Sequence, residues 1–122
     1  MKHKARRFVV DIPLFKMQIL VQKGGRLQTM IDRYTRLIGI PTIKVNESSR
    51  RRGHFFKAAS GVGAIWLHER SSAGALAHEV YHAAFWLLRD RGVRPSASTE
   101  EVFAYFHQHL VEAINAKLAE VK

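Results

Sequence analysis

In the stretch LAHEVYHAAFWLLRD, residues 76–90, His78, Glu79 and His82 stand in the order H-E-x-x-H. On an α-helix, positions four apart lie ~40° apart around the axis and one turn up the same face, so two imidazoles at that spacing can bind one divalent ion. Glu79 is displaced around the helix from that pair, where a carboxylate reaches a water beside the ion rather than the ion itself. That is the position of a general base. With seven histidines in 122 residues, the motif arises by chance in roughly 0.02 of chains of this composition, so its surroundings must decide. Leu76, Ala77, Val80, Ala83, Ala84, Phe85, Trp86, Leu87 and Leu88 make the segment apolar almost all round, the pattern of a buried helix. Two histidines and a carboxylate inside such a helix need partners, and the alternatives to a metal are backbone carbonyls or solvent for the imidazoles and an arginine for Glu79.

A candidate third ligand follows His82 after a gap of eighteen residues. Glu101 opens the run EVFAY on a second helical segment, and two helices joined by a short connection containing Gly92 and Pro95 can face each other antiparallel. A carboxylate on the second would complete a His₂Glu zinc site with one position open for water. Glu100, one residue earlier, is the competing ligand. Ser98-Thr99-Glu100-Glu101 also fits a capping box, with Ser98 as N-cap and Glu101 tied to a backbone amide. Tyr105, four residues after Glu101, shares its helix face and is a candidate hydrogen-bond donor to a tetrahedral oxyanion. His68, His107 and His109 are candidates for that role or for orienting the ligands.

His78-Glu79-x-x-His82, the eighteen-residue gap and Glu101 followed by Phe103-Ala104 together resemble the gluzincin group of zincin metallopeptidases, in particular the aminopeptidase-like branch whose third-ligand segment is similar to N-E-G-F-A. The resemblance covers roughly residues 64–106, with Thr99-Glu100 where that branch has asparagine before the glutamate. It implies Zn²⁺ held by His78, His82 and Glu101, with Glu79 activating water for peptide-bond hydrolysis. It also implies that the strand Ala64 to His68 is the sheet edge that holds an extended peptide by main-chain pairing. The small size and basic, helix-ended layout resemble compact metallopeptidase-like proteins of bacteriophages and prophages.

These side chains must be carried by a fold. Phe15, Met17, Ile19 and Val21 alternate with polar residues as in a strand with one buried face, Leu20 being the exception, and Phe8 to Ile12 is a weaker strand. Leu27, Met30, Ile31, Tyr34, Leu37 and Ile38 mark an amphipathic helix over 26–38, ended by Gly39 and Pro41. Thr42 to Val45 reads as a short strand, and Asn46 to Gly53, with Arg50, Arg51 and Arg52, as a loop. Phe55 to Ala58 and Ala64 to His68 read as strands of a hairpin turning at Ser60-Gly61-Val62-Gly63. Helices from about Ala73 to Arg91 and from about Thr99 to the carboxyl terminus follow. The order predicts one α+β domain over 1–122, a minimal zincin-like unit with a small, mostly antiparallel sheet.

Composition bounds the rest. Hydrophobic residues make up 47% and charged residues 25%, as in folded globular chains. Without cysteine, disulfides, thiolate metal sites and cysteine nucleophiles are excluded. Asp11, Pro13 and Lys16 break the apolar run after the basic amino terminus, and no segment approaches the ~20 apolar residues of a membrane span, so the expectation is a cytoplasmic chain without signal peptide or membrane contact. Twenty Lys and Arg against ten Asp and Glu give +10, which points to an acidic substrate or scaffold. The arginine cluster Arg50 to Arg52 admits nucleic acid as a partner, although no binding motif accompanies it. The expected function is zinc-dependent hydrolysis of a peptide bond in one particular peptide or protein. The alternatives are a catalytically inactive zincin-fold module binding nucleic acid or an acidic protein, and an assembly component whose helices only pack.

Overall fold

The computed structural model describes residues 4–47 and 52–120, so Arg50 and Arg51 lie outside the described residues. Its elements are β1 Arg6–Ile12, a 3-10 turn Pro13–Phe15, β2 Met17–Lys23, α1 Leu27–Ile38, β3 Gly53–Ala59, β4 Val62–Leu67, α2 Ala73–Asp90 and α3 Glu100–Glu120. The architecture is α+β: a four-stranded sheet in the order β1-β2-β4-β3, with α1 on one face and α2 and α3 on the other. β1 and β2 pair antiparallel, as do β3 and β4, while the central β2 and β4 run parallel.

Helices on both faces account for Leu20, the residue that broke the alternation of β2. Met17, Ile19 and Val21 face α2 and α3, whereas Leu20 packs with Leu27, Met30, Ile31 and Tyr34 of α1. A strand covered on both sides has no polar face to keep. Gln22, also on β2 and fully buried, satisfies its amide by donating to the carbonyls of Gly24 and Arg26 and accepting from Arg7. The buried amide thereby fixes the turn from β2 into α1.

Two sequence expectations are corrected. The strand Ala64 to His68, expected at the sheet edge, is β4 and lies inside the sheet; the edge beside α2 is β3. Hydrophobic content cannot distinguish the two strands of a hairpin, and the parallel pairing of β2 with β4 decides which is enclosed. Thr42 to Val45 joins no sheet, because the side chain of Gln28 takes its backbone groups, donating to Ile43 O and accepting from Val45 N at 2.9 Å each. Arg26 and Glu47, 2.8 Å apart, close the far end of that segment.

The carboxyl end of α2 is fastened to two loops. Arg91 donates to the carbonyls of Phe15 at 2.6 Å and Lys16 at 2.8 Å and to Ser60 Oγ at 3.2 Å. Asp90 accepts from Gly61 N at 3.0 Å and pairs with Lys57 Nζ at 3.2 Å. Gly61 has φ +75°, and a Cβ there would strike the Arg91 guanidinium. These contacts and the apolar face of α2 set the position of the helix relative to β3.

The segment over α1 carries one measurable electrostatic signature. The Thr42 hydroxyl, and next the Gln28 amide, hydrogen-bond the Asp32 carboxylate and hold its pKa below the ordinary carboxyl value. Since the folded value is the lower one, this contribution is present above the unfolded pKa of about 3.9 and is lost as pH falls through the depressed folded value. Thr42→Val should raise the Asp32 pKa toward its ordinary value, as read by NMR titration of the carboxyl carbon; an unmoved titration would show that Thr42 does not hold it.

Candidate metal centre

The rotation of α2 follows from its apolar stripe. Leu76, Val80, Ala83 and Leu87, each under 5% exposed, lie against the sheet. At 100° per residue this turns Glu79, Trp86 and Asp90 toward the β3 shoulder, His82, Arg89 and His78 beyond it to the solvent side, and Ala77, Ala84 and Leu88 toward α3. Observed contacts agree: His82 stacks on Phe55 of β3 at 6.5 Å, while Phe85 packs on Phe103 and His107 bonds the Ala77 carbonyl on the α3 side.

His78 Nε2 and His82 Nε2 lie 3.3 Å apart. With Zn–N bonds of ~2.0–2.1 Å, two nitrogens separated by 3.3 Å subtend roughly 105–110° at a shared ion, which is tetrahedral. The same contact is satisfied in a neutral pair in which one Nε2–H donates to the other. Glu79 Oε2 lies 4.0 Å from His78 Nε2, and one atom from each of the three residues falls within 4.8 Å of the others. A carboxylate oxygen 4.0 Å from the first imidazole is too far from it to share a tetrahedral ion, whose donors sit ~3.3–3.4 Å apart. It is placed to meet a water beside such an ion, the task of a base. The chemistry of the donor set therefore fits a divalent ion on the two histidines, with Glu79 next to it.

Glu79 is buried, and the reason is Gly53. The first residue of β3 packs on the Glu79 side chain so closely that a Cβ there would lie 2.8 Å from Cγ and 3.2 Å from Oε2. A glycine at the start of the edge strand thus makes room for the carboxylate under the imidazoles. Nothing in the sequence spacing marks Gly53 as part of the site; its signal is only that a strand begins at a residue without a side chain.

Other expected members are placed elsewhere. Glu101 is exposed on the first turn of α3, at the end where Phe103 meets Phe85, and it is not in the His78–Glu79–His82 group. His107, the α3 residue level with Ala77, is six positions further on, ~9 Å along the helix. Glu101 therefore comes level with about Ala83, close to His82 along the axis, and what separates it from the histidines is its place on the α3 side of α2. The capping box is not formed either: Ser98 Oγ pairs with Ser96 Oγ, and the Thr99 hydroxyl donates to the Arg94 carbonyl. Glu100 lines a cavity of about 390 Å³ between α2 and α3 with Tyr81, Phe85, Phe103 and His107, again on the α3 side. Tyr105, 66% exposed, lines a separate cleft with Asp11, Leu14, Phe15 and His109, away from the pair. It is Tyr81, next to His82 in the chain, whose ring sits edge-on to His82 at 6.4 Å. His68 accepts from Arg70 N in the turn before α2, so its Nδ1 serves that turn. Among the described residues, the group thus holds two imidazoles and one carboxylate, without a third ligand from α3.

Compared with protein families, curated proteins and solved structures, the chain matches none of them.

Titration of metal-free protein with Zn²⁺, followed by calorimetry, or with Co²⁺, followed by its visible absorption, tests the ligand set. His78→Ala and His82→Ala should each weaken binding by more than the ~10–100-fold typical of losing an outer partner. Glu101→Ala should bind as the parent chain does; a comparable loss in that variant would show that α3 reaches the ion after all.

Proposed function

We propose that the chain is a metallopeptidase of zincin type, in which His78 and His82 hold zinc and Glu79 is the general base. The observation that carries this reading is the 3.3 Å imidazole pair with a buried carboxylate beside it, set against the edge of a sheet. When bound, zinc supplies Lewis acidity and lowers the pKa of water toward ~7.

The chain's own residues do the rest. Glu79 Oε2 accepts the proton from the attacking water and returns it to the leaving amine nitrogen, so one carboxylate serves as base and then as acid. Burial against Gly53 keeps that carboxylate from rotating away into solvent. Phe55 stacks on His82 and orients its ring. β3 has β4 on one side, and among the described residues no strand pairs with its other side, so an extended peptide can lie there by main-chain hydrogen bonding. With two histidines as the protein's ligands, the ion is held more weakly than by a full His₂Glu set, and hydrolysis should depend on the concentration of free metal.

A second reading, an inactive basic module, is favoured by one observation on the opposite face. Arg33 has its pKa held below the ordinary guanidinium value, first by burial and then by the charge of Arg7. Two crowded cations are a place for an anion to bind.

One set of variants separates the readings. Against a mixture of unstructured peptides with added Zn²⁺, read by mass spectrometry, Glu79→Gln should retain the metal and lose roughly 10²–10⁴ in hydrolysis. Gly53→Ala should displace the same carboxylate and lose up to roughly 10². Salt-dependent binding of nucleic acid, unchanged by Glu79→Gln, together with no cleavage by the parent chain would favour the second reading instead.

A further inference from the structure

Beyond the histidines, the groove between β3 and α2 continues as a cavity of about 610 Å³ lined by Phe55, Phe56, Lys57, Trp86, Arg89 and Asp90. Phe55, which stacks on His82, also lines this cavity, so the two are continuous. β3 and α2 run the same way along it: Gly53 meets Glu79, Phe55 meets His82 and Lys57 meets Asp90.

The charges at the far end do not cancel. Lys57 is paired with Asp90 at 3.2 Å, which leaves that couple neutral. The Arg89 guanidinium stands 5.4 Å above both the Phe85 and Trp86 rings and forms no ion pair among the described residues. Two aromatic faces hold it in place without neutralising it, which leaves its donors pre-ordered for a carboxylate. Arg89 is seven residues beyond His82 and on the same shoulder of α2. Seven residues of helix rise ~10.5 Å and the ten from Glu79 rise ~15 Å, the length of about three to five residues of extended chain at ~3.3 Å each.

We infer that Arg89, seated on Phe85 and Trp86, is a specificity residue that selects peptides carrying Asp or Glu about three to five residues from the bond presented to Glu79. This rests on the metallopeptidase reading for the position of that bond, but the acidic preference is a property of the groove. The excess of basic residues over acidic ones, +10, draws acidic chains to the molecule in general, whereas Arg89 assigns one residue of them to one place.

The probe is a set of ten-residue peptides of uncharged residues with capped ends, in which a single Glu is scanned through every position, each with its Gln twin. Binding to the Zn²⁺-loaded Glu79→Gln chain is followed by tryptophan fluorescence, and hydrolysis by the parent chain by mass spectrometry. The best Glu peptide should bind at least ~10-fold tighter than its Gln twin at low salt, and the cut should fall about three to five residues from that Glu. Arg89→Gln should bring the Glu/Gln ratio to about one, Arg89→Lys should restore part of it, and Arg36→Gln on α1, which removes the same net charge, should leave it unchanged. A ratio that survives Arg89→Gln, or falls equally in Arg36→Gln, or is absent in the parent chain, overturns the inference. Selective, Arg89-dependent binding without any cleavage would sustain the subsite and sink the peptidase; cleavage without a Glu/Gln preference would do the reverse.

Discussion

One packing constraint governs this molecule: α2 is pressed onto the sheet by a narrow stripe of fully buried side chains, and its rotation is thereby fixed. Val80, Ala83 and Leu87 have no exposed surface, so turning the helix by even one position would expose apolar area worth roughly 1.5–3 kcal/mol for each large side chain. Everything with chemistry sits on the shoulders of that stripe. One shoulder, with Glu79, His82 and Trp86, meets the edge strand; the other, with Ala77 and Ala84, receives α3. A polar group placed beside such a stripe is oriented by the core without being part of it. This is how a carboxylate comes to be buried next to two imidazoles that reach solvent.

The division of α2 into two shoulders separates functions that the linear order of the chain puts together. α3 follows α2 directly, yet it packs on the side away from the histidines, through Phe106, Leu110 and Ile114. The element that closes on the site is β3, which precedes it by some twenty residues and contributes Gly53 and Phe55. The loops at the end of α2, clamped by Arg91 and Asp90, hold the carboxyl end of the helix against the turn between β3 and β4.

What was legible in the sequence was what is local. The pairing of His78 with His82 is a property of helical spacing, and the helices themselves follow from apolar periods bounded by glycine and proline. The α+β class followed from the order of those elements. Glu101 and Tyr105 are not brought to the imidazole pair, because their positions depend on which side of α2 the last helix docks, and that is not encoded in a gap of eighteen residues. The choice of β4 as the edge failed for a related reason: two apolar strands of one hairpin look alike until a parallel neighbour, β2, joins one of them. Thr42 to Val45 has strand-forming residues, but the Gln28 side chain supplies the hydrogen bonds a neighbouring strand would have offered. Gly53 left no pattern at all, since its contribution is the volume it does not occupy.

The ladder between β3 and β4 slips between Lys57 and Ala59. An irregularity of this kind twists a strand and cuts short the stretch over which another strand can align with it. An uncovered strand is also an invitation to copies of the same chain, which could stack onto it and aggregate. By ending the flat portion of β3 after Lys57, the slip restricts pairing to a few residues, too short a stretch to template a growing sheet.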